Sequence, residues 1–247
     1  MSLNFTSCTY KYKRWYRPVL DDFNYVLQDG LTVLLGPNGA GKSTILKLGA
    51  GVIHPHIGAV TLDSIRSTAA IYRRNVAWLP QTVIPMPGLT AREYVAYIGW
   101  LKGMSRRESW DRAAQALGRV NLGAESNNKT TRLSGGQLRR VGVAGALVHD
   151  ARVILLDEPT AGMDPHQRRI FRDVVGSLIE DVKILISTHD VVDLVEEAQH
   201  VTVVNGGRIL HTGSTAEFLD KTPEGTVLGR AAEGAYSEIL QEADLSR

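Results

Sequence analysis

The run Gly36, Pro37, Asn38, Gly39, Ala40, Gly41, Lys42, Ser43, Thr44 is spaced by glycines and ends in a lysine followed by two hydroxyls. It matches G-x-x-x-x-G-K-[ST], a loop whose successive backbone N–H groups can curl around phosphate oxygens at the start of a helix. Lys42 would reach the β- and γ-phosphates, Ser43 would ligate Mg²⁺ through its hydroxyl, and Thr44 would add a phosphate contact. Downstream, Val153 to Glu158 reads VILLDE, which puts two carboxylates at the end of an apolar run. Burying acids there without a cation costs several kcal/mol. A bound Mg²⁺ removes that objection, so Asp157 reads as the metal-side carboxylate and Glu158 as the group that orients or deprotonates an attacking water. A second glycine pair sits in LSGGQ, Leu133 to Gln137. There the Ser134 hydroxyl and the Gly135 and Gly136 amides would turn the positive end of a helix outward, an anion site with no anion of its own.

These groups need a strand, a loop and a helix to hold them. LTVLL is a short apolar run typical of a strand covered on both faces, and KSTILKLGAG reads as the helix leaving the glycine loop. Before it, LNFTSC and VLDDFNYVLQDG read as antiparallel strands closed by a turn at Asp29-Gly30. From about Thr82 to Val148 the pattern is mostly helical, with capping-box spacing at Thr90/Glu93 and Ser105/Glu108. Apolar strands return in RVILLD, KILIST and HVTVV, and a helix between the first two starts at Asp164-Pro165 with Ile170, Val174 and Leu178 on one face. VTVVNGGRILHTG reads as a terminal hairpin turned at Asn205-Gly206, followed by a short helix capped by Ser214 and Glu217. Alternating strands and helices imply an α/β fold with a mainly parallel core sheet. The tail after Lys221 is more polar and reads as a loosely docked helix or a partly disordered segment.

Composition bounds the class. The chain has 247 residues, of which 43% are hydrophobic, enough for one packed domain with a subdomain. A formal net charge of +2 points to neither nucleic acid nor a strong membrane-surface attraction. The single cysteine, Cys8, fits a reducing compartment. No apolar run approaches the ~20 residues of a membrane span and the amino terminus lacks a signal-peptide core, so the expected location is cytoplasmic. His54 and His56 have no further ligand at metal spacing, and no transition metal is expected.

Five motifs in order, GPNGAGKST, Gln81 in WLPQ, RLSGGQLRR, VILLDEPTAGMD and His189 in ISTHD, make the chain resemble an ATP-binding cassette (ABC) ATPase from about Leu3 to Leu219. The resemblance implies a P-loop NTPase with an N-terminal antiparallel β subdomain and a helical subdomain, about residues 82–148, that carries the signature, within a nucleotide-binding domain of residues 1–220 and an extension of 221–247. It implies ATP and Mg²⁺ as ligands. Gln81 would sense Mg²⁺ and the γ-phosphate, His189 would contact the γ-phosphate, and Ala161 to Asp164 would join the two sites, with Met163 where leucine is commoner. An aromatic from the first strands would stack on adenine; Tyr12 fits best by its spacing to Leu20, with Trp15 and Tyr16 as alternatives. Two subunits would pack head to tail, so that Ser134, Gly135, Gly136 and Gln137 of one close over ATP on the other.

The loop Thr82 to Thr90 is unusually apolar and follows Gln81 directly. In the resembled family this neighbourhood receives a short helix from a transmembrane subunit. The expectation is therefore the ATPase subunit of a transporter, more like an exporter of the drug, peptide or lipid type, acting on the cytoplasmic face with a separate membrane partner and a second copy or paralogue. The alternative for the loop is that Val83, Ile84 and Met86 pack inward. The alternative for the protein is a soluble ABC-type ATPase that regulates or assembles something; an ordinary P-loop kinase or GTPase gives no reason for LSGGQ.

Overall fold

The computed structural model describes residues 2–13, 15–191, 195, 197–227 and 229–245. Two sheets organise the chain. The first is antiparallel, in the order β2-β1-β4-β5, built from β1 (Leu3–Tyr10), β2 (Leu20–Val26), β4 (Ile57–Leu62) and β5 (Ile65–Arg66). The second has the order β10-β9-β3-β8-β7-β6, from β3 (Leu31–Leu35), β6 (Val76–Leu79), β7 (Val153–Asp157), β8 (Lys183–Thr188), β9 (His200–Asn205) and β10 (Arg208–Ser214). Its strands are parallel except β10, which returns antiparallel on β9 after the turn at Gly206 and Gly207. The Asp29-Gly30 turn does not close the β1–β2 pair; Gly30, at φ +77°, passes the chain from the first sheet into β3 of the second.

Every residue of β3 and of β7 is buried, as expected for strands covered on both faces. One core lies between the two sheets and α1 (Lys42–Gly49), around Phe5, Phe23, Leu46 and Leu155. A second lies on the other face of the parallel sheet, where β8 and β9 meet α5 (Gly135–Leu147) and α6 (Pro165–Gly176). α6 buries Phe171, Val174 and Val175, with Leu178 just beyond its end, whereas Ile170 is only half-buried. The inward stripe is centred one residue further along than the expected Ile170.

α3 (Ala91–Leu101) and α4 (Arg106–Arg119) pack on each other and on α5. Helix begins at Ala91, not Thr82, because Pro85, Pro87 and Gly88 break the preceding loop. Thr90 and Glu93 form a full capping box; at Ser105 only the side-chain half is made, from the Glu108 amide. The short α2 (Ala70–Asn75) precedes β6. α7 (Thr215–Leu219) is capped by Ser214 and Glu217, and the tail continues into α8 (Ala231–Leu245), which buries Ala235 and Ile239 in the second core. Among the described residues no helix is long and apolar enough to cross a membrane.

Candidate functional site

The glycine loop leaves the buried end of β3 and wraps the start of α1. A Cβ on Gly36 would sit 2.3 Å from the Val204 carbonyl oxygen, and Gly41 caps α1 at φ +103°, so both positions demand glycine. Lys42 is buried, and its Nζ donates to the carbonyls of Gly36 (2.5 Å) and Pro37 (3.1 Å). Burial lowers its pKa from the ordinary lysine value, while the charges of Glu158 and Asp157 pull it back up. Tyr12, Val19, Pro37 to Thr44 and Glu158 line a cavity of about 300 Å³ over the loop. The Tyr12 hydroxyl is 3.1 Å from Thr44 Oγ1, and the Tyr10 ring meets Tyr12 edge-on at 5.2 Å. Trp15 and Tyr16 do not line this cavity, and Trp15 is 91% exposed.

The two carboxylates at the end of β7 face different ways. Asp157 Oδ1 accepts hydrogen bonds from Ser43 Oγ (3.1 Å) and Ser187 Oγ (2.7 Å). A carboxylate and a hydroxyl meeting beside the phosphate loop are the hard oxygen donors that suit Mg²⁺. Glu158 turns away through a left-handed backbone, φ +44°, held by its N–H donating to the Ser187 carbonyl at 3.0 Å. Its Oε2 accepts from Gln81 Nε2 at 3.4 Å, and its Oε1 lies 3.2 Å from His189 Nδ1. Left-handed backbone at a residue other than glycine costs on the order of 1–3 kcal/mol and is found mostly where geometry matters for function. A smaller cavity of about 140 Å³ opens beyond, lined by Glu158, Thr160, Ala161, Gly162 and His189 among others. Met163 is buried, and Asp164 caps α6 by accepting from the Gln167 amide at 2.9 Å.

Gln81, Ser43, Asp157, Glu158 and His189 are therefore one connected set, although they come from β6, α1, β7 and β8 or their ends. The signature lies elsewhere: none of Ser134, Gly135, Gly136 or Gln137 lines the cavity over the loop. Ser134 and Gln137 form a capping box, with Ser134 Oγ accepting from the Gln137 amide (3.2 Å) and Gln137 Oε1 accepting from the Ser134 amide (2.9 Å). Gly136 is packed against Gln167, but a Cβ on Gly135 would meet nothing within 4 Å. Packing within the chain thus gives no reason for glycine at 135.

Two residues of the site escaped the sequence reading. Ser187 links Asp157 to the backbone of Glu158, and Arg139 donates to the carbonyls of Glu158 (2.8 Å) and Pro159. Burial lowers the Arg139 pKa, against the opposing charge of Glu158. A serine directly after the apolar ILI of KILIST was the available signal, since a buried hydroxyl needs a partner.

The apolar loop after Gln81 divides. Val83 packs inward towards Gly142, whereas Ile84 is 72% and Met86 37% exposed. Together with Trp78, Tyr94 and Ile98 they line a groove of about 420 Å³.

The sequence of residues 20–161 matches the family model described as ABC transporter. The chain is 35% identical over 206 residues to the Nod factor export ATP-binding protein I of Burkholderia lata, covering 82% of this chain and 68% of that protein. It is 34% identical over 204 residues to the Fe(3+) ions import ATP-binding protein FbpC of Escherichia coli O157:H7, covering 81% and 59%. Several curated relatives are longer, and this chain spans only 23%, 65% and 59% of three of them. Among solved structures it is similar to the dimeric post-hydrolysis state of the ATP-binding cassette MJ0796 bound to ADP and Pi, with a TM-score of 0.75, 27% identity and coverage of 87% of this chain and 99% of that one.

Proposed function

This chain belongs to the ABC transporter family, and we propose that it is the ATP-binding and ATP-hydrolysing subunit of a transporter, working as a head-to-tail pair on the cytoplasmic face of a separate membrane-spanning partner. Residues 36–44 would hold the phosphates of ATP, and Ser43, Asp157 and Gln81 would hold Mg²⁺, which would supply positive charge to offset that of the phosphates. Tyr12 stacks on adenine. Glu158 orients or deprotonates the attacking water, with Gln81 and His189 on either side of its carboxylate.

The observation that carries this reading is the exposed amino terminus of α5. Ser134 is exposed and Gly135 faces open space, yet neither contributes to its own chain's nucleotide cavity, which is what a site completed by a second subunit requires. The relatives named above include both an import and an export protein, so exporter type rests only on the sequence resemblance.

Binding is tested first. Lys42→Ala removes a buried charge-assisted contact and is expected to weaken ATP by roughly 1.5–3 kcal/mol or more. Near-normal affinity in calorimetry would count against the loop. The coupling half of the proposal is tested at Ile84 and Met86: replacing both by glutamate is expected to leave ATP binding by the isolated subunit intact and to abolish attachment to, or stimulation by, the membrane partner, because a charge buried in a packed contact is costly. A soluble regulatory ATPase would keep all its activities in that variant.

A further inference from the structure

The second long surface of α3 is also apolar, and nothing in the ATPase reading uses it. Leu89, Ala96, Tyr97, Trp100, Arg106 and Trp110 border an open hollow of about 710 Å³. The Tyr97 and Trp100 rings stack with centroids 5.9 Å apart, and the Arg92 guanidinium lies 4.1 Å from the centre of the Trp110 ring. Trp100 is 49% and Leu101 61% exposed. Isolated exposed apolar residues are ordinary, but three large rings and a leucine on adjoining turns form a patch.

The rim is cationic. Arg106 and Arg107 open α4 and are exposed. Across the α3–α4 turn, exposed Arg73 and Arg74 close α2, and Arg74 lies so near Gly103 that a Cβ there would sit 2.7 Å from its Nη2. Nearby acids have cationic neighbours: Glu108 pairs with Arg112 at 3.3 Å, and Glu93, which also lines the hollow, lies 3.9 Å from Lys129 Nζ. Asp111, four residues after Arg107, offsets one of the four guanidinium groups.

We propose that this aromatic and basic face at the α3–α4 turn docks on the surface of an anionic lipid bilayer. Tryptophan and tyrosine rings, apolar in body and polar at the tip, settle at headgroup depth, and each nearby arginine adds attraction to anionic headgroups. A second copy of the chain fits poorly, since a two-fold contact sets the same patch against itself and would bring guanidinium groups together. Tyr94 and Ile98, which line the groove after Gln81, lie on another side of α3, so the proposal does not rest on the transporter reading.

The test uses the purified full chain without any transmembrane protein, sedimented with phosphatidylcholine vesicles that either contain or lack phosphatidylglycerol. Binding is expected with the anionic vesicles, falling as salt is added. Arg106→Gln with Arg107→Gln should lower the partition coefficient roughly 30-fold, and Trp100→Ser roughly tenfold, while both variants keep wild-type ATP binding as a check on folding. Absence of binding to anionic vesicles at low salt, equal binding to pure phosphatidylcholine, or binding that both variants retain overturns the proposal. Loss of a co-purifying membrane protein in these variants without any vesicle binding also overturns it, and reassigns the face to a protein contact. The assay involves no turnover, so its failure leaves the ATPase reading standing, and failure of that reading leaves it standing.

Discussion

Glu158→Gln is expected to bind ATP and to stop hydrolysing it, with a closed dimer accumulating in place of turnover. Glutamine keeps the length and shape of the side chain and can still hydrogen-bond to Gln81 and His189, the two groups within 3.4 Å and 3.2 Å of the carboxylate. What it loses is the negative charge that, in the proposed function, polarises water. General-base assistance contributes roughly 100- to 10,000-fold, so kcat should fall by that order while the affinity for ATP stays close to wild type. The backbone makes the test clean. Glu158 sits at φ +44°, pinned by Ser187 and by Arg139 on its carbonyl, and glutamine inherits that same backbone. Loss of ATP binding would point to a structural role for the carboxylate; normal hydrolysis in single-turnover measurements would remove Glu158 from the chemistry altogether. Ser187→Ala would remove the hydroxyl that donates to Asp157 and accepts from the Glu158 N–H, while the Ser187 carbonyl would still hold that N–H.

Much of this arrangement was legible in the residues, and the gaps have physical causes. The α/β fold class followed from wholly apolar strands alternating with capped helices, and β3, β7, β8 and β9 lie where LTVLL, VILLD, KILIST and HVTVV predicted them. The elements within residues 57–79 are not legible in the sequence. There β4 is half exposed at its start, β5 has two residues, α2 six and β6 four, each too short to display a period. For the tail the sequence allows a loosely docked helix or a partly disordered segment; a helix forms, and the stripe α8 buries, Ala235 and Ile239, is too narrow for periodicity to decide between the two. At the site, residue types announced phosphate and metal chemistry, yet only the spacing to Leu20 favours Tyr12 over Trp15 and Tyr16, because three aromatics in one irregular run have no periodicity to orient them. The cavity includes Tyr12 and neither of the others. Nor could sequence split the apolar loop, where Val83 turns in while Ile84 turns out.

The second large effect concerns LSGGQ. Ser134→Arg is expected to leave ATP binding by the monomer nearly unchanged and to abolish turnover. The reasons lie in the geometry: Ser134 is exposed, its capping box with Gln137 shapes the amino terminus of α5, and neither residue lines the chain's own nucleotide cavity. An arginine there covers the amides and the open space over Gly135 that would meet the γ-phosphate of the other subunit. Losing the serine cap costs α5 about 1 kcal/mol, too little to unfold a packed helix whose later turns are buried. Ser134→Arg and Glu158→Gln then fail for different reasons, and mixing them discriminates. In a mixed dimer one composite site takes Ser134 from one chain and Glu158 from the other, both wild type, while the second site carries both defects. Random pairing at equal concentrations would make about half the dimers mixed, so at most about a quarter of the wild-type number of intact sites returns, and fewer as closed Glu158→Gln pairs accumulate. ATPase activity plotted against mixing ratio should therefore peak at an intermediate ratio and vanish at either end. The decisive contrary result is loss of ATP affinity by Ser134→Arg below the concentration at which the chain dimerises, for that would put the signature in its own chain's site and end the two-subunit mechanism.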